Sequence, residues 1–309
     1  KSLKLKKNDE VIVPACTFVA CANVVEMVGA KVIFADIDDK TQLLDINDVL
    51  KKITKKTRVI MPVHLFGNLF DSYQLKKKIN KKIFIIEDSA HCFSGKINKK
   101  PIGYYSDFAV FSFYATKNVT CGEGGAIITN LNNKVDTIRS ICNNGLSKSA
   151  FKRFTNKKYQ HWDVKNIGFK ANMPDINASF LEAQIKDYSK NLKLRKKIFS
   201  YFKKKIIDIP EIKIPNEIEN QVRDYHLFPI RIKKNRDKFM KYLNTNNIPT
   251  TVNYKSILDL TFYKKKYKNQ KCKNSLKWGN ETLSLPFHLK LSMREINYII
   301  KKIKLFFTI

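Results

Sequence analysis

Lys117 stands in the stretch Phe111-Ser-Phe-Tyr-Ala-Thr-Lys117-Asn-Val-Thr-Cys-Gly-Glu-Gly-Gly125, after a strand pattern ending in Ser112 and ahead of a glycine cluster. A lysine among apolar or cationic neighbours sheds its proton and attacks carbonyl carbon. On spacing alone, one more surface lysine among many is the plainer account. The glycines suggest a phosphate cradle, but a P-loop requires Gly-Lys-Ser/Thr with a helix behind it, and here a strand pattern follows. A second segment is Glu87-Asp88-Ser89-Ala90-His91. A carboxylate at a strand end can hold a heterocyclic nitrogen protonated, and it can equally cap a helix. A third runs from Pro14 to Asn23. Its Phe18 could stack on a flat ligand, although a lone Phe more commonly packs in a core.

These residues need elements to carry them. β-Branched runs at Val11-Ile12-Val13, Val32-Ile33-Phe34, Arg58 to Val63, Ile83 to Ile86, Phe108 to Phe113 and Ala126-Ile127-Ile128 alternate with helical patterns near Phe18 to Val28, Ile46 to Ile53 and Ser72 to Ile79. Such alternation predicts an α/β fold: a mostly parallel sheet sandwiched by helices. The strands end in Asp36, His64, Glu87-Asp88 and Ser112, and open α/β sheets place their ligand crevice at the carboxyl ends of the strands. A long helix is predicted from Ile176 to about Lys205. A smaller C-terminal α/β domain follows, with strands at Tyr225 to Ile232, Thr250 to Tyr254 and Thr282 to Leu285, and helices at Arg236 to Leu243 and Met293 to Phe306. No internal repeat is visible.

The chain has 309 residues, 43% of them hydrophobic, enough for one large or two modest domains. Lys+Arg number 59 against 27 Asp+Glu, a net charge of +32. No zinc-finger, RRM or helix-turn-helix signature accompanies that charge, so the expectation is salt-sensitive adsorption to polyanions without specific nucleic-acid binding. No apolar run is long enough to span a membrane. Cys16, Cys21, Cys92, Cys121, Cys142 and Cys272 form no CxxC pair, which suits a reducing, cytoplasmic compartment.

Taken in order, these segments resemble the DegT/StrS family of sugar aminotransferases, pyridoxal phosphate enzymes of fold type I. The resemblance runs through Asp9 to Asn23, Pro62-Val-His-Leu-Phe-Gly67, Glu87 to His91, Ser112 to Gly125, Asn166 to Ile176 with Gln184, and more weakly through His226, Arg236-Asp237 and Ser284-Leu-Pro286. It implies that Lys117 bonds the cofactor aldehyde and then moves protons, that Asp88 pairs with the ring nitrogen, and that His91 lies near the ring's phenolate oxygen. Phe18 would stack on the ring and Ser112 would bond the phosphate. Lys170 or Asn172 would serve the neighbouring subunit's phosphate, making a homodimer with a shared active site. The implied substrates are an amino-acid donor, glutamate being expected, and a nucleotide-linked keto-deoxysugar. Residues 1–190 would form the cofactor-binding large domain, and 191–309 the linking helix and small domain.

The pattern departs from the family in three places. The family's Ser-Gly-Thr phosphate-binding turn lies upstream of Asp9, so that turn and its strand are expected to be missing from a chain opening at Lys1. Asn253, Ser256 and Leu258 stand where many members carry His, Pro and His, and Ala171 replaces an aromatic. A dehydratase of the same family is the alternative enzyme; those relatives replace the lysine with histidine, so Lys117 argues for transamination. A catalytically inactive relative acting as a binding protein is the alternative from outside enzymology.

Overall fold

The computed structural model describes residues 1–147, 161–164 and 166–307. The first half winds strand and helix in turn: β1 (Glu10–Pro14), α1 (Ala20–Met27), β2 (Lys31–Ala35), α2 (Ile46–Lys52), β3 (Thr57–Ile60), α3 (Ser72–Lys76), β4 (Phe84–Asp88), the short β5 (Lys96–Ile97) and β6 (Lys100–Pro101), β7 (Phe108–Ser112), β8 (Gly125–Thr129) and α4 (Val135–Cys142). The main sheet has the order β2-β1-β3-β4-β7-β8. Its first five strands are parallel, and β8 returns antiparallel to β7 with Gly125 opposite Ser112. Every residue of β1 is buried, which explains its unbroken apolar run: a strand covered on both faces has no polar side to alternate with. At the open edge, Ile127 and Ile128 of β8 are half-exposed.

The second half opens with α5 (Asp175–Ile206), followed by β9 (Ile212–Lys213), β10 (Gln221–Val222), β11 (Phe228–Ile232), α6 (Arg236–Thr245), α7 (Thr261–Lys266), α8 (Lys273–Glu281), β12 (Thr282–Leu285) and α9 (Met293–Phe307). β12, β11 and β9 form a small antiparallel sheet. It builds a second core with Phe199, Phe202 and Ile206 of α5 and with Ile296, Ile299, Ile300 and Ile303 of α9. That last set has the three- and four-residue spacing of one helix face. The boundary expected at residue 190 falls inside α5, and Ile257, Leu258, Tyr263, Tyr267 and Cys272 sit in the first core. Asp36, at the end of β2, explains part of that docking. Its carboxylate accepts from Asn274 N (2.9 Å), Ser275 N (2.7 Å) and Ser275 Oγ (2.7 Å), capping α8 from across the fold. Beside it Arg231 of β11, 2% exposed, bonds Asp39 and Glu281 and lies over the Trp278 ring.

Two expectations need correction. Residues Thr250 to Tyr254 are not a strand; only Thr251 pairs, as a bridge to Ser284. Thr250 N is taken by Asn244 Oδ1 (3.2 Å), and Tyr254 O accepts from the Cys16 thiol (3.4 Å), so ladder partners are replaced by side chains. The strand expected from Tyr225 begins at Phe228 instead. Its first residues form a strap across the top of the main sheet: His226 N bonds Phe66 O (3.3 Å) and Asp224 N bonds Gly67 O (3.1 Å). Helices α4, α7 and α8 were not anticipated. Among the described residues, no helix is long and apolar enough to cross a membrane.

The strap rests on a turn with two consecutive left-handed residues, Phe66 (φ +58°) and Gly67 (φ +90°). A Cβ on Gly67 would fall 1.1 Å from the Asp224 carbonyl oxygen. At Gly29, also left-handed at φ +76°, a Cβ would meet nothing within 4 Å. Gly29→Ala should therefore cost only the conformational penalty of about 1–2 kcal/mol. Gly67→Ala adds a backbone collision and should cost at least roughly 3 kcal/mol. Urea denaturation of the two variants measures the difference; equal losses would remove the close approach as a constraint.

Candidate active site

Four strand ends converge. β1 leads to Phe18, β3 to His64, β4 to Asp88 and His91, and β7 to Ser112 and Lys117. Asp88 is held by backbone bonds to the neighbouring strand exit, its N–H donating to Pro62 O (2.8 Å) and its O accepting from His64 N (3.0 Å). Its Oδ1 accepts from Ala90 N (2.9 Å) and its Oδ2 from the Cys21 thiol (3.0 Å). Burial, then the charge of Asp88, pushes the Cys21 thiol well up, so Cys21 stays protonated and donates. Behind Asp88 lies a second carboxylate, Glu87, on the opposite face of the strand. It accepts from Ser72 Oγ and Gly103 N (2.7 Å) and faces His64 Nε2 at 3.6 Å. Burial alone would raise the Glu87 carboxyl, but the facing His64 imidazole and the bonds from Ser72 and Gly103 overcome it and hold the group below its ordinary value.

His91 is buried, and its tautomer follows from its partners. Nδ1 receives the Phe66 N–H (3.2 Å), which can only donate. The neutral ring therefore carries its proton on Nε2, which donates to the Tyr254 hydroxyl oxygen at 3.2 Å. Burial, with help from His226 and Lys117, pushes His91 well below the ordinary histidine range, so it is neutral. Phe66, His91 and Tyr254 lie nearly parallel, at 11–22° between planes. The Phe18 ring sits 5.9 Å from Tyr254 and is 56% exposed, which leaves it a free face.

Lys117 is partly buried. Burial lowers its ammonium from the ordinary lysine value, while Asp88 pulls it back up. Its loop is held from α5: Gln184 bonds Thr120 N (3.0 Å) and Thr120 O (2.5 Å), and Asn177 Nδ2 donates to Cys121 O and Glu123 O. The glycines after it serve this loop. Gly122 takes φ +82°, and a Cβ on Gly125 would press the Phe111 carbonyl oxygen at 2.8 Å. Lys117, Ser112, Ser89, His91 and Asn118 line one small cavity of about 10 Å³. Larger apolar hollows of about 200 and 280 Å³ lie between α1, β8, α4 and Lys1–Leu5; the lining side chains there are almost all aliphatic, so the chemistry belongs to the smaller site.

Of the residues singled out in the sequence, Phe18, Asp88, His91, Ser112 and Lys117 are thus brought together. Lys170 and Asn172 lie on an exposed segment paired at Asn143, with Lys170 Nζ donating to Asn172 Oδ1 (2.6 Å). Tyr254, His226, Asn118 and Cys21 were not singled out as site residues. Cys21, Asn118 and His226 lie within stretches of the resemblance and Tyr254 between two of its departures, but the contacts that bring them to the site are with distant residues, which spacing does not carry. A carboxylate, an amine of lowered basicity, a fixed imidazole N–H and an open aromatic face suit a flat nitrogen heterocycle bearing a carbonyl. Among the described residues, no group of three His, Cys, Asp or Glu could hold a metal ion.

Comparisons with known proteins agree on one group. The model of the DegT/DnrJ/EryC1/StrS aminotransferase family matches residues 1–304. An uncharacterized protein of Methanocaldococcus jannaschii is 31% identical over 98% of this chain and 81% of its own length. The GDP-perosamine synthase of Escherichia coli O157:H7 is 29% identical, over 99% of this chain and 81% of its own. Among solved structures, a putative sugar aminotransferase from Streptococcus pneumoniae in its PMP form is similar at a TM-score of 0.90. It is 29% identical, covering 98% of this chain and 82% of that one.

The buried pair behind Asp88 should be visible in stability. A carboxyl whose folded value is depressed stabilises the fold above its unfolded value, near 4.3, and that contribution fades as pH falls through the folded value. Glu87→Gln should therefore cost about 2–3 kcal/mol at pH 7, with the gap to the wild type narrowing below about pH 4. Urea unfolding across pH 3–7 reads this; a gap that is constant with pH would show that charge is not what Glu87 contributes.

Proposed function

Because the chain belongs to the DegT/DnrJ/EryC1/StrS aminotransferase family, we propose that it moves an amino group from an amino acid, glutamate in the expected case, to the keto group of a nucleotide-linked deoxysugar, with pyridoxal phosphate as cofactor. The observation that carries this reading is the meeting of Lys117, Asp88 and neutral His91 at the strand ends. The residues present fit that cofactor's ring nitrogen, ring oxygen, aldehyde and flat face. When bound, the cofactor supplies an electron sink for carbon–hydrogen cleavage next to the transferred nitrogen.

The chain's own residues do the rest. Lys117 would hold the cofactor through its aldehyde, the carbonyl oxygen leaving as water, and its amine is placed to carry a proton to and from carbon beside the transferred nitrogen. Its lowered basicity suits both tasks. Asp88 keeps a ring nitrogen protonated, and the Cys21 thiol, which cannot ionise beside it, holds the carboxylate in place. His91 would lie near the ring oxygen, its Nε2–H passing to that oxygen from the Tyr254 hydroxyl it faces here. Phe18 would cover one face of the ring, and Ser112 would bond the phosphate.

Lys170 or Asn172 completes the phosphate site of a second copy, so the working unit is a homodimer. The support is the company they keep: Ile167 (81% exposed), Phe169, Ile176 and Phe180 flank them, an apolar surround that a partner would cover. Six unpaired thiols fit a cytoplasmic enzyme.

Borohydride reduction of the pyridoxal-phosphate-loaded protein should place the pyridoxyl label on Lys117, and Lys117→Ala should lose turnover by at least about 10³-fold. Label on another lysine would sink the assignment. Asp88→Asn should slow turnover about 10²-fold, equal to roughly 3 kcal/mol of barrier, while still binding the cofactor. Mixing inactive Lys117→Ala with inactive Lys170→Ala/Asn172→Ala should restore about a quarter of wild-type activity, since half the dimers are mixed and each then holds one intact site. No recovery would mean that these residues do not serve a partner's site.

A further inference from the structure

Asn118 is the residue after Lys117, and its carboxamide is turned inward. Oδ1 lies 3.2 Å from His226 Nδ1, and Nδ2 is buried. An amide oxygen only accepts, so His226 carries its ring proton on Nδ1 and keeps Nε2 as an acceptor. His226 is 5% exposed and comes from the far half of the chain, in the strap ahead of β11. Its ring stands 4.4 Å from that of His91. The charged or titratable groups around it are Lys117, Arg195 and His91; burial, then Lys117 and Arg195, pushes His226 down to about 3. At working pH it is neutral.

The strap that presents His226 is fixed on every side. The buried Asp224 carboxylate accepts from Tyr188 Oη, Phe93 N and Ser94 N. Arg195 Nη1 donates to Tyr225 O (3.1 Å) and His226 O (3.5 Å). Asp224 N bonds Gly67 O (3.1 Å) and His226 N bonds Phe66 O (3.3 Å). The lysine loop has its α5 bonds at residues 120–123, three or more positions past Lys117. The bond at Asn118 is one position away.

We propose that His226 is a positioning residue for Lys117: by donating from Nδ1 to Asn118 Oδ1 it locks the adjacent peptide and so aims the lysine amine at the site. A cation at this position would repel the lysine charge; a neutral imidazole donor holds the loop without that effect. The role rests on the reading of Lys117 as the reactive amine.

The test uses the full chain without cofactor. Limiting acetic anhydride is applied over a series of pH values, and acetylation of Lys117 is read by peptide mass spectrometry against surface lysines of the same molecule. His226→Phe and Asn118→Leu should each move the Lys117 profile toward that of the surface lysines. Each should also slow uptake of added pyridoxal phosphate, followed by absorbance, about fivefold, the size of one lost buried hydrogen bond. His226→Asn, whose amide N–H reaches the same acceptor, should restore both. The Phe/Leu double variant should be no worse than either single one, as two ends of one contact require. The proposal is overturned if His226→Phe leaves the Lys117 profile unchanged, if Asn fails to rescue while folding normally, or if the two variants add. A pyridoxyl label on a lysine other than Lys117 in the wild type is a separate outcome, which removes the parent reading instead.

Discussion

The backbone of Gly67 and the carbonyl of Asp224 approach so closely that no side chain fits between them. The rest of the site depends on this contact. Phe66, in the same turn, gives its N–H to His91 and its carbonyl to the His226 amide. One left-handed turn therefore sets the proton position on one histidine and the location of another. The strap it seats also carries Asp224, which ties the loop after β4 to α5 through Phe93, Ser94 and Tyr188. The left-handed penalty at Phe66 is outweighed by the packing and bonding around it, while Gly67 takes its conformation at no steric cost.

Burial then sorts the charges. The thiols of Cys21 and Cys92 are pushed well up and the imidazoles of His91 and His226 down, all into neutral forms. Facing the cavity are the Asp88 carboxylate and one amine of lowered basicity, with the carboxylate opposing the effect of burial on the amine; Glu87, Asp224 and Arg195 stand behind them. A site with so few mobile charges presents a definite field to anything bound there. The neutral groups are hydrogen-bonded, so they hold geometry without competing for the substrate's charge.

How far this could be read from sequence differs by residue. Asp88, Ser112 and Lys117 follow local strand patterns, and the rule that strands of a parallel sheet open their crevice at one end brings them together without any knowledge of packing. The fold class was legible for the same reason, from strands and helices in alternation. Tyr254 was not, because Thr250 to Tyr254 reads as a strand while the segment is tied to distant parts of the chain: Tyr254 O accepts from the Cys16 thiol, and Ser256 Oγ and Ile257 N both donate to Ala15 O. α7 and α8 were hidden by their lysines and by a cap, Asp36, more than two hundred residues away. His226 sits in a β-like run whose first residues are recruited by the Phe66 turn. In each case a long-range bond overrides a local preference.

α5 belongs to both halves of the molecule. Its early turns place Leu181 and Tyr188 under the lysine loop, and its later turns place Phe199, Phe202 and Ile206 in the second core. Thirty-two residues without a break make a rod about 48 Å long. Such a rod works as a truss. The two cores it threads share one unbroken helix, which ties the lysine loop to the second core through a single element. An adjustment to an arriving substrate that leaves this helix whole can be made at the rim of the site, where Phe18 is 56% exposed.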